Sequence, residues 1–149
     1  MNITIPILIF ASITGFLILY ELIIFFQVFR REKKKTGPQP VSIVICAHNR
    51  LKELEAFVMA VIEQKHPDFE VILVNDRSED GTYDFLFELK QKYSHVKMVT
   101  IEETPDHISG KKFAITLGVK AATKPYVLLT DTDCYPASEN WAAEMSTGF

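Results

Sequence analysis

The chain has 149 residues, 48% of them hydrophobic and 23% charged, with 19 acidic against 16 basic side chains and a formal charge of -3. That balance excludes a disordered chain, a collagen-like repeat and a basic nucleic-acid binder. The charge is unevenly spread: residues 1–29 carry -1, residues 30–35 carry +4 and residues 36–149 carry -6, so two different physical objects share one chain.

The first object is apolar. Of the 27 residues from Ile3 to Phe29, 20 are hydrophobic and only Glu21 can ionise. A helix of that length reaches roughly 40 Å, enough to cross a hydrocarbon core of about 30 Å. A cleavable signal peptide would place its positive charge before a shorter apolar stretch, whereas here Arg30-Arg31-Glu32-Lys33-Lys34-Lys35 follows it. The segment 3–29 therefore reads as a transmembrane helix. The positive-inside rule puts the N-terminus outside and everything after Arg30 in the cytoplasm. Glu21 either packs against another helix or reaches toward the headgroups, and a functional role for it stays open. Residues 30–40 form a basic juxtamembrane linker, in which Gly37, Pro38 and Pro40 stop any helix.

Residues 41–149 then alternate in period. Val41 to Ala47 is a short β-branched run, as expected of a strand buried on both faces. Residues 51–64 place Leu51, Leu54, Phe57, Val58, Val61 and Ile62 on one helical stripe. A second strand is expected over Phe69–Val74, and a second helix with Phe85, Leu86, Leu89 and Tyr93 inward. A third strand spans about Val96–Ile101, and a third helix, about Gly110–Ala122, aligns Phe113, Leu117 and Ala121. A fourth strand, Tyr126–Thr130, runs into Asp131-Thr132-Asp133. This alternation predicts an α/β, Rossmann-like, mainly parallel sheet with right-handed crossovers.

Such sheets bind ligands beyond the carboxyl ends of their strands, here Ala47-His48-Asn49-Arg50, Asn75-Asp76 and Asp131-Thr132-Asp133. Asp131 and Asp133, two residues apart at the end of an extended segment, can turn to one side and share Mg²⁺ or Mn²⁺; they could equally be acids of a solvated turn. Asp76 could accept hydrogen bonds from a base or ribose, or cap a turn. His48 and Asn49 precede a helix N-terminus suited to an anion, although a lone histidine there can be structural. Lys111 and Lys112 open the third helix and could neutralise a diphosphate or simply be solvated. Cys46 and Cys134 are expected to be free, buried thiols. Dinucleotide, P-loop, zincin and hydrolase-elbow motifs do not occur in the sequence.

Taken in order, Val41 to Asn49, Val71 to Thr82, Gly110-Lys111-Lys112 through Gly118, and Leu128 to Asp133 resemble the N-terminal half of family 2 glycosyltransferases over about residues 41–145. The apolar segment before them is similar to the anchors of bacterial membrane-bound members. The resemblance implies an incomplete GT-A half-domain that binds a UDP- or GDP-sugar, with a divalent metal at the D-x-D. It implies transfer to a lipid-linked or polysaccharide acceptor of the cell envelope, with inversion at the anomeric carbon, at the inner membrane. Carried over by position, Ala47, His48, Asn49, Asp76, Lys111 and Asp131 are donor contacts, and Asp133 with Asp131 holds the metal; Lys112 is the lesser choice. The carboxylate base of an inverting transfer is expected downstream of Phe149, since Glu139 and Glu144 follow the D-x-D too soon. The chain thus reads as a fragment of a longer enzyme, because its sheet would otherwise end on an unprotected hydrophobic edge. The alternative is a non-catalytic, membrane-anchored nucleotide-sugar-binding module.

Overall fold

The computed structural model describes residues 4–28 and 37–147, and the chain divides after Lys34 into two compact units. The expected basic run at residues 30–35 lies outside the described residues.

In the first unit, Thr4–Val28 forms one helix, α1, of 25 residues. Its stretch Ile7–Phe26 has a mean hydropathy of 2.4 and is long and apolar enough to cross a membrane. Large side chains stand exposed along it, Phe10, Phe16 and Phe26 among them. The hydroxyls of Ser12 and Thr14 donate back to the carbonyls of Ile9 (2.8 Å) and Phe10 (2.9 Å). Polar groups that satisfy themselves within the helix suit a surrounding that offers no water.

In the second unit the elements run β1 (Val41–Ala47), α2 (Leu51–Ile62), β2 (Phe69–Asp76), α3 (Thr82–Lys92), β3 (Val96–Ile101), α4 (Gly110–Ala121), β4 (Tyr126–Thr130) and α5 (Trp141–Ser146). The four strands form a parallel sheet in the order β3-β2-β1-β4. Successive side chains of a strand face opposite ways, so the apolar runs feed two cores. Ile43, Ile45, Val71 and Leu73 pack with Leu54, Phe57, Val58 and Val61 of α2, Leu86 and Leu89 of α3 and Ala142 of α5. Val44, Ile72 and Val74 pack with Ala114 of α4 on the other side. The chain winds outward from β1 to β3, then returns through α4 to lay β4 on the free side of β1. That reversal between β1 and β4 makes the kind of crevice in which open α/β sheets take their ligands.

Three expectations need correcting. β2 continues through Asn75 and Asp76, which keep register with Ala47, Thr100 and Ile101; a polar strand end pairs its backbone as well as an apolar one does. Tyr93 is not on α3 but caps it in an extended conformation. On α4 the fully buried residues are Ala114 and Gly118, whereas Phe113, Leu117 and Ala121 are only partly buried. The helix lies so close to the sheet that only small residues fit beneath it: a Cβ on Gly118 would stand 2.4 Å from Val44 Cγ1 and 3.0 Å from Val74 Cγ2. Gly118→Ala is therefore expected to destabilise the fold by about 1–3 kcal/mol through overpacking, despite the better helix propensity of alanine. Urea unfolding followed by the fluorescence of Trp141 checks this, and an unchanged midpoint would refute the close approach.

At the amino ends of the strands lies a second buried arrangement. Glu70, 5% exposed, accepts hydrogen bonds from Ser42 Oγ (2.6 Å), Thr123 N (2.7 Å) and Thr123 Oγ1 (2.9 Å), and pairs with Lys97 Nζ at 2.7 Å. Ser42 Oγ in turn accepts from Lys124 N at 3.2 Å. One carboxylate thus joins β1, β2, β3 and the turn that leads into β4.

Candidate functional site

Two turns at the carboxyl edge of the sheet are laced together. After β1, Asn49 takes a left-handed conformation (φ 52°), which asparagine tolerates better than most residues. Its backbone N–H donates to Ser78 Oγ (3.0 Å), and its side-chain oxygen accepts from Glu79 N (2.7 Å). Arg50 N donates to Thr82 Oγ1 (3.3 Å) and Leu51 N to Asp80 Oδ2 (3.0 Å), so the start of α2 is capped by the loop before α3. The other Asp80 oxygen accepts from Thr82 N and Oγ1. His48 Nδ1 lies 2.5 Å from the Asp76 carbonyl oxygen. Since a carbonyl only accepts, that nitrogen carries the proton and leaves Nε2 free of one in the neutral ring.

These turns frame a cavity of about 310 Å³. Cys46, Ala47 and His48 line it from β1 and the turn behind it, Arg50 from the start of α2, and Asp76 from the end of β2. Lys111 and Ala114 line it from the first turns of α4, and Asp131 and Thr132 from the segment after β4. Asp76 is 7% exposed, and its Oδ1 accepts from Arg77 Nε at 2.8 Å. A Cβ on Gly110 would stand 3.2 Å from both Asp76 Oδ2 and Arg77 Nη2, so glycine lets α4 begin directly against that carboxylate. Asp131 Oδ2 meets Lys111 Nζ at 2.5 Å while its Oδ1 accepts from Thr132 N at 3.0 Å. The Lys111 ammonium holds the Asp131 carboxyl below the usual carboxylate range, although partial burial pushes the other way; Asp131 in turn raises Lys111. Burial, and then the negative charge of Asp131, push the Cys46 thiol up to about 11, so it is uncharged at neutral pH.

Of the residues expected to bind a donor, Ala47, His48, Asp76, Lys111 and Asp131 come together on one cavity wall. Asn49 does not line it; its backbone N–H and side-chain oxygen brace the two turns. Lys112 is likewise absent from the wall. Asp133 is exposed, two residues beyond Asp131 and across the buried Thr132, and its Oδ1 accepts from Cys134 Sγ at 3.4 Å. Cys134 is free as expected but exposed rather than buried, and Cys46 is only half-buried. Glu139 pairs with Lys65 at 2.7 Å where α5 joins the end of α2. Arg50, named in the sequence only as a strand-end residue, also lines the wall, and Ala114 is the wall residue the sequence did not single out; the Arg50 guanidinium pairs with Glu53 at 2.8 Å and feels the charges of Asp133 and Asp131.

The donor set suits a hard divalent ion that takes most of its ligands from elsewhere. Asp131 is held ionised and Asp133 presents an exposed carboxylate. No group of three or more His, Cys, Asp and Glu side chains gathers among the described residues. Mg²⁺ in particular is bound by one or two carboxylates plus phosphates and water rather than by an all-protein cage. In charge and ligand type the two acids suit such an ion, although Asp133 does not line the cavity wall.

Known proteins resemble this chain in sequence and fold. The family model described as "Glycosyl transferase family 2" matches residues 42–145. Over 108 residues the chain is 33% identical to the probable glycosyltransferase YdaM of Bacillus subtilis, covering 71% of this chain and 25% of that protein. Over 101 residues it is 34% identical to a poly(ribitol-phosphate) beta-glucosyltransferase of Bacillus spizizenii, covering 66% and 16%. The mannosyltransferase PcManGT from Pyrobaculum calidifontis, solved in complex with GDP-Man and Mn²⁺, superposes with a TM-score of 0.56 at 22% identity over 91% of this chain and 40% of that one, a likeness of fold. The chain spans about a sixth to a third of the length of the curated relatives it matches.

Proposed function

Because this chain belongs to glycosyl transferase family 2, we propose that its cavity holds the nucleoside diphosphate of a UDP- or GDP-sugar and that it serves transfer of the sugar to a lipid-linked or polysaccharide acceptor of the cell envelope. The observation that carries this reading is the meeting of Asp76, Lys111 and Asp131 in one cavity at the point where the strand order reverses. In this reading Asp76, buried and fixed by Arg77, accepts hydrogen bonds from the base or ribose. Ala47 and His48 form the floor beneath it, and the first turn of α4 with Lys111 faces the diphosphate. Asp131 and Asp133 would hold Mg²⁺ or Mn²⁺. When bound, that ion would offset the negative charge that grows on the leaving nucleoside diphosphate.

The family's usual inversion asks for a carboxylate base beside the acceptor hydroxyl. We assign that role to none of the residues 37–147; Glu139 is committed to Lys65 and is not part of the cavity wall. A role for α1 as the membrane anchor, with residues 41–149 on the cytoplasmic side, is supported by its apolar length and by the basic run that follows it in the sequence.

Titration calorimetry of the full chain in detergent with UDP- and GDP-sugars tests the reading. One nucleotide class is expected to bind, with an affinity raised about tenfold or more by Mn²⁺. Absence of binding by both classes, with and without metal, would overturn it.

A further inference from the structure

The inference drawn here deepens the donor reading and rests on it. Asp131 is engaged on both oxygens: Thr132 N takes Oδ1 at 3.0 Å and Lys111 Nζ takes Oδ2 at 2.5 Å. The oxygen that a divalent ion would need most is therefore the one already in contact with an ammonium group. Arg50 faces the same acids, but its guanidinium is held by Glu53 at 2.8 Å, so Lys111 is the cation in direct contact. Both partners are well exposed, Lys111 at 68% and Asp131 at 44% of their side chains. Such a pair shifts an equilibrium only a few-fold. The lysine stem is long and rotatable, and its head is a compact point charge that can trade one anion for another.

We propose that Lys111 is a place-holding cation: its ammonium balances Asp131 until a divalent ion takes that carboxylate, and it then passes to the phosphates of the nucleotide, so that metal and nucleotide bind with positive coupling through one side chain. A metal ion arriving alone must displace the ammonium. A diphosphate arriving alone meets an ammonium already committed. When both arrive, each frees what the other needs. By linkage the coupling is reciprocal, so it is measurable from either ligand.

The test titrates Mn²⁺ into the full chain in detergent, reading free Mn²⁺ by electron paramagnetic resonance. It is run without nucleotide and with UDP or GDP, whichever the unaltered chain binds, after correction for Mn²⁺ held by the nucleotide in solution. Lys111→Gln is expected to tighten Mn²⁺ binding about threefold without nucleotide and to shrink the mutual enhancement of the two ligands by a similar factor. Lys111→Arg should restore the enhancement in part. Lys112→Gln removes the same charge one residue away, off the cavity wall, and should leave both quantities unchanged. An unchanged Mn²⁺ affinity in Lys111→Gln, or an equal shift in Lys112→Gln, overturns the exchange while leaving the donor reading intact. Failure of the unaltered chain to bind either ligand overturns both.

Discussion

Glu70→Ala is expected to lower the unfolding free energy by about 3 kcal/mol. The substitution strips the buried Ser42 Oγ of its acceptor and leaves Lys97 and Thr123, which can still turn to water, without theirs. Burial on its own would push the Glu70 carboxyl up, yet the Lys97 ammonium and the hydrogen bonds from Ser42 and Thr123 outweigh it and hold the group at about 2 instead of 4.5. A carboxyl depressed by folding stabilises the native state above its unfolded value. That contribution is whole above pH 4.5 and drains away as the pH falls toward 2. One pKa unit is worth about 1.4 kcal/mol, so about 3 kcal/mol should vanish across this window. Glu70→Gln keeps an acceptor but not the charge, and should flatten that acid limb. Urea midpoints measured between pH 2 and 6 for both forms decide the matter; parallel curves would show that the carboxylate contributes nothing through its ionisation.

Asp131→Asn is expected to cost about 100-fold in metal-supported nucleotide binding, because on the proposed reading it removes a metal ligand outright, where changes behind a ligand already cost 10–100-fold. It also strips Lys111 of its counter-charge. The fold itself should hardly notice: Asp131 is partly exposed, and its carboxylate joins no buried network. Asp133→Asn should act in the same direction. Asp84→Asn, an exposed acid on α3, should leave binding unchanged. Calorimetry with Mn²⁺ and the bound nucleotide, paired with thermal melting, separates the two effects. Equal affinity in Asp131→Asn would remove the D-x-D from the site.

The order of elements was legible because buried parallel strands and amphipathic helices write different periods. Val41–Ala47, Val96–Ile101 and Tyr126–Thr130 need no knowledge of their neighbours to be found. The wall residues at strand ends followed from the same logic. Side-chain phase was harder. Phe113, Leu117 and Ala121 do pack against the sheet's core, but partly buried at its flank, while the small Ala114 and Gly118 take the closest approach. A stripe of Lys111, Ala114 and Gly118 at i, i+3 and i+7 also separates Lys111 from Lys112, a choice that charge pattern alone left open. Asn49 posed another difficulty. A short polar side chain at a strand end can serve a ligand or a turn, and only the partner loop, with Ser78 and Glu79, reveals that it serves the turn. Glu70 and Ser42 stood as lone polar residues in apolar strands, and only their partners in other elements gave them a reason.

The pairing of β4 with β1 joins Val41 to Tyr126, so the last strand added closes against the first one made. Asp76 and Asp131 then stand on either side of the β1 tip, and the wall that carries Asp131 is in place only after that closure. The pairing thus sets a long-range closure, from Val41 to Tyr126, between the two acids and makes the site depend on contacts far apart in sequence.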